Sequence, residues 1–343
     1  MPKRIFLTRP ILDEGLALLR ECGATIEIGQ PDPNTPIAPP DLLAGVRRAD
    51  VLLCHLSDRV SREVLEANPA LLGVATYAVG YDNIDIAAAS ALGIPVSNTP
   101  DVLTHATADL TWALLLAVAR KIPEAHRFTA AGRFKIWNPV LFLGADVGPG
   151  GSGRGKTLGV VGFGRIGRAV ARRAIGFEMD VLAHSPRSRA EIESTPGVRW
   201  ASMEELVAKS DFLTLHAPLT PKTRHLIGEA ELRAMKPTAY LINVARGPMV
   251  DEEALVRALK EGWIAGAALD VYEHEPLLAP GLADLPNVVL APHIGSATRE
   301  TRTAMAAIAA RNALAHLNGE RAPQAIDPGV YDTPAWKERR ARA

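Results

Sequence analysis

Leu158-Gly-Val-Val-Gly162-Phe163-Gly164-Arg165-Ile166-Gly167 is an apolar run that breaks into three spaced glycines and then into a helical pattern. Leu158–Val161 predicts a strand buried on both faces, Ile166–Ile175 a helix, and Val181–Ala183 the next strand. In that strand–turn–helix setting each glycine has its own task. Gly162 permits the tight turn, Gly164 lets backbone approach a pyrophosphate, and Gly167 lets the helix pack closely on the sheet. The helix start then presents free N–H groups and the positive end of its dipole to phosphate. Glycines also mark ordinary turns, and it is the strand before and helix after that make this a dinucleotide loop.

The end of the following strand bears on which dinucleotide is bound. An acid there accepts hydrogen bonds from the ribose hydroxyls of NAD. This chain reads His184-Ser185-Pro186-Arg187-Ser188-Arg189, with Ser185 standing 18 residues past Gly167 and Asp180 at the wrong end of the strand. A hydroxyl followed by arginines suits a 2′-phosphate, which points to NADP(H) as the preferred cofactor with NAD(H) also accepted. Arg187 and Arg189 are otherwise solvated loop residues, and Glu191 and Glu193 nearby soften the preference.

The same alternation of apolar runs and helical segments continues in both directions. Upstream, strands are predicted at Ile5–Thr8, Thr25–Ile28, Val51–Cys54, Gly73–Tyr77 and Pro95–Ser97, with helices at Leu12–Glu21, Arg62–Ala67 and Ile84–Leu92. Downstream, strands follow at Phe212–Leu215, Tyr240–Asn243, Ala267–Leu269 and Val288–Leu290. Ser202 with Glu205 has capping-box spacing, and Asp251 opens a helix over Glu252–Lys260. Such alternation implies right-handed βαβ units and doubly wound parallel sheets, an α/β fold. Long helical segments at Leu103–Arg120 and Thr298–Leu317 bracket the second set of strands. The second domain (105–298) is therefore expected as an insertion into the first (1–104 with 299–330). Residues 331–343 form a tail expected to be solvated from Lys337 onward, and Gly148–Gly155 a flexible loop without a packing role.

Composition narrows the function. The chain has 343 residues, 48% of them apolar, enough for two large cores. Its 38 basic residues balance 38 acidic ones, which argues against a nucleic-acid-binding protein. Cys22 and Cys54 are too few for a disulfide framework and stand in no metal-ligand spacing, so we expect a reducing, cytoplasmic setting and no bound metal. No signal peptide or membrane-spanning run is read.

Three strands of the second domain end in polar residues: Arg246 after Tyr240–Asn243, the acids of Asp270-Val-Tyr-Glu-His-Glu275-Pro276, and His293 in Ala291-Pro-His293-Ile-Gly295-Ser296. Ligands of open α/β sheets bind at the carboxyl ends of strands, so these residues should converge. As residue types, Arg246 offers a cationic fork, His293 a group that can give or take a proton, and Glu275 an acid that can hold an imidazole tautomer. Taken singly, Arg246 reads rather as a surface arginine, Glu275 as a loop acid and His293 as a structural histidine at a domain hinge.

Together, Asn243-Val244-Ala245-Arg246-Gly247, Asp270–Pro276 and Pro292–Ser296 resemble the D-isomer-specific 2-hydroxyacid dehydrogenases, with 29 residues from Arg246 to Glu275 and 18 from Glu275 to His293. Within that family, Leu53–Asp58, Thr99–Thr104 and Pro292–Thr298 look like the glyoxylate and hydroxypyruvate reductases. The resemblance runs from about Ile5 to Val330. It implies a Rossmann NAD(P) domain inserted into a flavodoxin-like substrate domain. It also implies catalysis by Arg246, Glu275 and His293, and substrate contacts from Leu56, Val79, Gly80 and Ser296. Cofactor contacts would come from Thr107, the loop Gly162–Gly167, Ser185, Arg187, Pro218, Val244, Ala245, Asp270, His293 and Gly295. Trp137 would reach the partner's cleft in a homodimer, or else anchor its own arm. The implied reaction is hydride transfer to glyoxylate or hydroxypyruvate, giving glycolate and D-glycerate. Other readings are a 2-ketogluconate reductase, a phosphoglycerate dehydrogenase, or a cofactor-dependent corepressor of the C-terminal-binding-protein kind. His55-Leu56-Ser57 suits a small, uncharged substrate tail, which disfavours the phosphoglycerate reading.

Overall fold

The computed structural model describes residues 3–153, 155–186 and 189–342. Chain order begins β1 (Arg4–Leu7), α1 (Asp13–Arg20), β2 (Thr25–Ile28), α2 (Pro39–Val46), β3 (Val51–Cys54), α3 (Arg62–Glu66), β4 (Gly73–Thr76), α4 (Ile86–Ala91) and β5 (Val96–Ser97). It continues with α5 (Thr104–Ala119), α6 (Ile122–Ala130), β6 (Thr157–Val161), α7 (Arg165–Gly176), β7 (Asp180–His184), α8 (Arg189–Glu193), β8 (Val198–Trp200), α9 (Met203–Lys209) and β9 (Phe212–Leu215). Then come α10 (Glu229–Ala234), β10 (Tyr240–Asn243), α11 (Glu252–Glu261), β11 (Gly266–Leu269), β12 (Val288–Leu290), α12 (Arg299–Leu317) and α13 (Pro334–Arg342). The chain divides into two compact units, Met1–Leu103 with Ala297–Ala343, and Thr104–Ser296.

In the first unit the strands lie in the order β2-β1-β3-β4-β5, all parallel. This is the 2-1-3-4-5 winding of flavodoxin-like sheets. Val51–Cys54 and Gly73–Thr76 are buried along their full length, as their unbroken small and apolar composition requires of a sheet covered on both faces. One face packs Ile5, Leu7, Leu53 and Leu72 against α1 and the alanine stripe Ala306, Ala309, Ala310 and Ala313 of α12. The other packs Phe6, Leu52 and Val74 against α2, α3 and α4.

The second unit orders its seven parallel strands β12-β11-β10-β9-β6-β7-β8. Counted from β6, this is the 3-2-1-4-5-6 winding of dinucleotide-binding sheets with one strand added at the edge. Its two cores lie on opposite faces, one with α5 and α7, the other with α9, α10 and α11. Ser202 caps α9 by accepting from the Glu205 N–H (3.2 Å), and Asp251 caps α11 by accepting from the Ala254 N–H (2.9 Å).

Two expectations are corrected in part. The tail is solvated from Lys337 to Arg342 except at Arg339, but it is an anchored helix: α13 buries Trp336 in the first unit's core, and the Arg339 guanidinium donates to the carbonyls of Asn68, Pro69, Leu71 and Leu92. A buried arginine that satisfies backbone carbonyls anchors this helix more firmly than its basic composition suggests. The glycine-rich segment packs at its two ends, where a side chain at Gly155 would lie 2.1 Å from the Glu178 carbonyl and one at Gly148 2.8 Å from that of Phe177, while nothing lies within 4 Å of one at Gly151 or Gly153. Among the described residues, no helix is long and apolar enough to cross a membrane.

Candidate active site

The switch point of the second sheet lies between β6 and β9, where the winding reverses and a crevice opens at the carboxyl ends. The glycine loop occupies it. Gly162 sits at φ +90°, and a side chain there would lie 2.5 Å from the Ala217 nitrogen; one at Gly167 would lie 2.0 Å from the Gly162 carbonyl. Nothing lies within 4 Å of a side chain built at Gly164, which begins α7 with no side-chain cap. The loop is thus closed below, open above, and topped by uncapped N–H groups of a 12-residue helix. That fits the pyrophosphate of a dinucleotide. Phe163 is buried in the core, so only its backbone is available there, and Ile166 packs against the same core.

Ser185 follows β7 half-buried, while Asp180 lies exposed at the opposite end of the strand. Arg187 lies outside the described residues. Arg189 is engaged on α8: its Nε donates to Glu193 (2.9 Å) and its guanidinium stacks on Trp200 (4.1 Å). Arg168, on the first turns of α7, pairs with Glu191.

The polar residues beyond β10, β11 and β12 meet at the carboxyl edge. Asn243, buried at the end of β10, accepts from the Ala245 N–H (3.0 Å) and donates to the Arg246 carbonyl (2.9 Å). It shapes the turn that presents Arg246, a task not evident from the motif. The Arg246 Nη1 donates to the Ala245 carbonyl (2.8 Å). Gly247 has no room for a side chain, which would stand 1.8 Å from the Tyr272 carbonyl. Val244 is buried in the core, and Pro218 lies exposed after β9.

Asp270, at the end of β11, is buried; its carboxylate accepts from the N–H groups of Ile294 (2.7 Å) and Gly295 (2.8 Å). Thr107 donates to the Gly295 carbonyl (3.1 Å). Thr107, Asp270 and Gly295, assigned separately to the cofactor, thus form one cluster. Burial pushes the Asp270 carboxyl up and those two N–H groups pull it back, with a net upward shift. The cluster holds His293 at φ +53°, a left-handed conformation uncommon for a non-glycine residue and typical of strained functional positions.

His293 Nδ1 donates to Glu275 Oε2 at 2.9 Å, and Glu275 Oε1 accepts from the Tyr272 N–H at 3.0 Å. Burial opposes ionisation of Glu275. The hydrogen bond and charge of His293, the Tyr272 N–H and the charge of Arg246 outweigh it and hold the carboxyl below its ordinary range. A carboxylate can only accept, so Nδ1 carries the proton and Nε2 is left for chemistry. Both side chains keep roughly a third of their surface exposed. Ser296, half-buried, follows on the same loop.

In the first unit, Leu56 is 39% exposed beyond β3. Val79 and Gly80 follow β4, where Asn98 donates to the Val79 carbonyl (2.7 Å) and so aims the Gly80 N–H the opposite way. Trp137 is 75% exposed in an arm that also exposes Phe134, Ile136, Val140 and Leu143.

A family model for the D-isomer specific 2-hydroxyacid dehydrogenase NAD binding domain matches residues 112–295. A glyoxylate reductase of Thermococcus onnurineus is 49% identical over 336 residues, 97% of this chain and 98% of that protein. The chain belongs to the D-isomer specific 2-hydroxyacid dehydrogenases. It is an enzyme of that family and carries its NAD-binding domain. A solved protein from Thermus thermophilus is similar at 44% identity and a TM-score of 0.84, covering 94% of this chain and 100% of that one. An NADPH-dependent glyoxylate/hydroxypyruvate reductase from Sinorhizobium meliloti, solved with NADP and malonate, is similar at 32% identity and a TM-score of 0.81, covering 96% and 98%.

Proposed function

We propose that this dehydrogenase reduces glyoxylate, and hydroxypyruvate beside it, to glycolate and D-glycerate, with NADPH preferred over NADH. The observation that carries the reading is the His293–Glu275 hydrogen bond of 2.9 Å next to the Arg246 turn. It occurs in a chain about half identical to named glyoxylate reductases. The absence of an acid at Ser185 and the NADPH-dependent relative support the cofactor preference.

The nicotinamide cofactor, when bound, supplies hydride to the keto carbon; the loop Gly162–Gly167 and the Thr107–Asp270–Gly295 cluster would hold it. Arg246 binds the substrate carboxylate and carbonyl oxygen through its planar fork. His293 holds a proton on Nε2 and gives it to that oxygen during reduction, taking it back in oxidation. Glu275 keeps Nδ1 protonated and stabilises the ring's positive charge. Val79, Gly80, Leu56 and Ser296 complete the substrate contacts in this reading. Ser185, Arg187, Pro218, Val244 and Ala245 complete those to the cofactor.

The exposed apolar arm around Trp137 supports a homodimer, and two free cysteines support a cytoplasmic setting. The test is a steady-state screen of 2-keto acids with both cofactors. Highest kcat/KM for glyoxylate or hydroxypyruvate with NADPH is expected; preference for a sugar acid or a phosphorylated acid would overturn the substrate assignment.

A further inference from the structure

The loop that carries Glu275 is braced by a residue outside the catalytic set. Glu252 is the first residue of α11 and is 3% exposed. An acid at that position ordinarily faces solvent and complements the helix dipole. Here the carboxylate turns to the neighbouring loop, accepting from the Glu273 N–H at 2.8 Å and from the backbone of Ala279. Burying a carboxylate is costly, and burial pushes this one up. On the loop's other side the Glu273 carboxylate accepts from Arg224 Nη2 (2.8 Å) and His225 Nε2 (2.6 Å). The N–H of His225 in turn donates to the Pro248 carbonyl, two residues beyond Arg246. The Glu273 N–H belongs to the peptide that joins it to Tyr272, and it is the Tyr272 N–H that holds Glu275 Oε1. One peptide unit therefore separates the buried carboxylate from the bond that aims the partner of His293.

We propose that Glu252 is a positioning residue for the Glu275–His293 pair, acting through the Tyr272–Glu273 peptide. The inference rests on the functional reading above. Glu252 touches no reacting atom in it. Its carboxylate fixes the loop so that Glu275 stays bonded to Nδ1 while the ring passes its proton, and an amide oxygen in its place can still accept from the Glu273 N–H.

The experiment is single-turnover reduction of glyoxylate against pH, with cofactor Kd measured separately by fluorescence. Glu252→Gln is expected within about 3-fold of wild type, because its amide oxygen preserves the acceptor. Glu252→Ala is expected to lose about 10- to 50-fold in the chemical step, the scale of a sub-ångström misplacement of a catalytic group. Its cofactor Kd should be unchanged. In a Glu275→Gln background the same substitution should cost less than about 3-fold, since the residue being positioned is already disabled. Glu252→Asp, one methylene short, carries the same expectations as the alanine variant and decides the matter if that variant does not fold. A chemical step within about 3-fold of wild type in Glu252→Ala or Glu252→Asp, or losses that multiply in the double variant, would overturn the proposal. Wild-type turnover and the loss in Glu275→Gln are measured first. If either is missing, the functional reading fails and this inference with it; if both are present and Glu252 is inert, this inference fails alone.

Discussion

Replacing Gly247 by alanine tests whether the Arg246 turn and the Glu275 loop are built as one piece. A methyl group there would stand 1.8 Å from both the carbonyl carbon and oxygen of Tyr272 and 2.4 Å from the Glu273 nitrogen. Ordinary contact begins near 3.4 Å, so the two segments must separate by about 1.6 Å. All three obstructing atoms are backbone, and no rotamer relieves the clash. Overpacking of this kind costs about 1–3 kcal/mol. The larger effect is on chemistry, because a displacement on the order of 1 Å at a catalytic group costs roughly 100-fold. The assay is kcat/KM for glyoxylate beside a urea unfolding curve and a cofactor Kd. Activity should fall by about 100-fold and unfolding should come at lower urea, with a smaller loss of cofactor affinity, since the glycine loop is a separate element while Val244 and Ala245 lie in the displaced turn. A Gly247→Ala enzyme with near wild-type kcat/KM would refute the coupling of the two segments.

Other expectations follow from single contacts. His293→Ala should slow the chemical step by about 10²–10⁴-fold at all pH values. The His293→Ala, Glu275→Gln double variant should be little worse than His293→Ala alone, and additive losses in rapid-quench kinetics would separate the two residues. Arg187→Ala, chosen from the sequence, should raise KM for NADPH by about 10- to 150-fold and barely alter that for NADH; equal effects would remove Arg187 from the cofactor site. His316 is fully buried between Ser97 (2.9 Å) and Tyr331 (3.4 Å), and burial pushes it down to about 3 from 6.5. Between those values the unfolded chain binds a proton that the folded chain does not, so stability falls as pH drops through 6.5 toward 3. At about pH 5 the loss is about 2 kcal/mol. His316→Asn should flatten that dependence in urea titrations at about pH 7.5 and pH 5, and an unchanged difference would refute the assignment.

Much of this architecture is written in local pattern. Val51–Cys54, Phe212–Leu215 and Tyr240–Asn243 are continuous apolar runs, and each is a strand with the predicted ends. What escaped has physical causes. β8 is a three-residue edge strand with Arg199 exposed at its centre, too short to show a period. α2 begins with Pro39-Pro40, which favours a helix start as readily as a loop. α6 buries no residue and starts from a left-handed Lys121, with Pro123 in its first turn, so its short apolar spacing reads as a connection. Around the site, Arg246, Glu275 and His293 stand out because their residue types match a reaction and their spacing matches a family. Glu252 does not, because an acid in the first turn of a helix has an ordinary explanation in the dipole. Only the fold shows that its carboxylate faces elsewhere.

The alanine stripe of α12 and the Trp336 anchor of α13 belong to the same core as Ile5 and Leu7. During synthesis, the first five strands therefore leave the ribosome before α12 and α13, which join α1 in covering one face of their sheet. Thr104–Ser296 is contiguous and holds all its own strands, so it is the part that can complete itself while translation continues. The N-terminal sheet must wait, partly covered, for α12 and α13. This order places completion of the N-terminal sheet after the synthesis of α12 and α13, although its strands are made first.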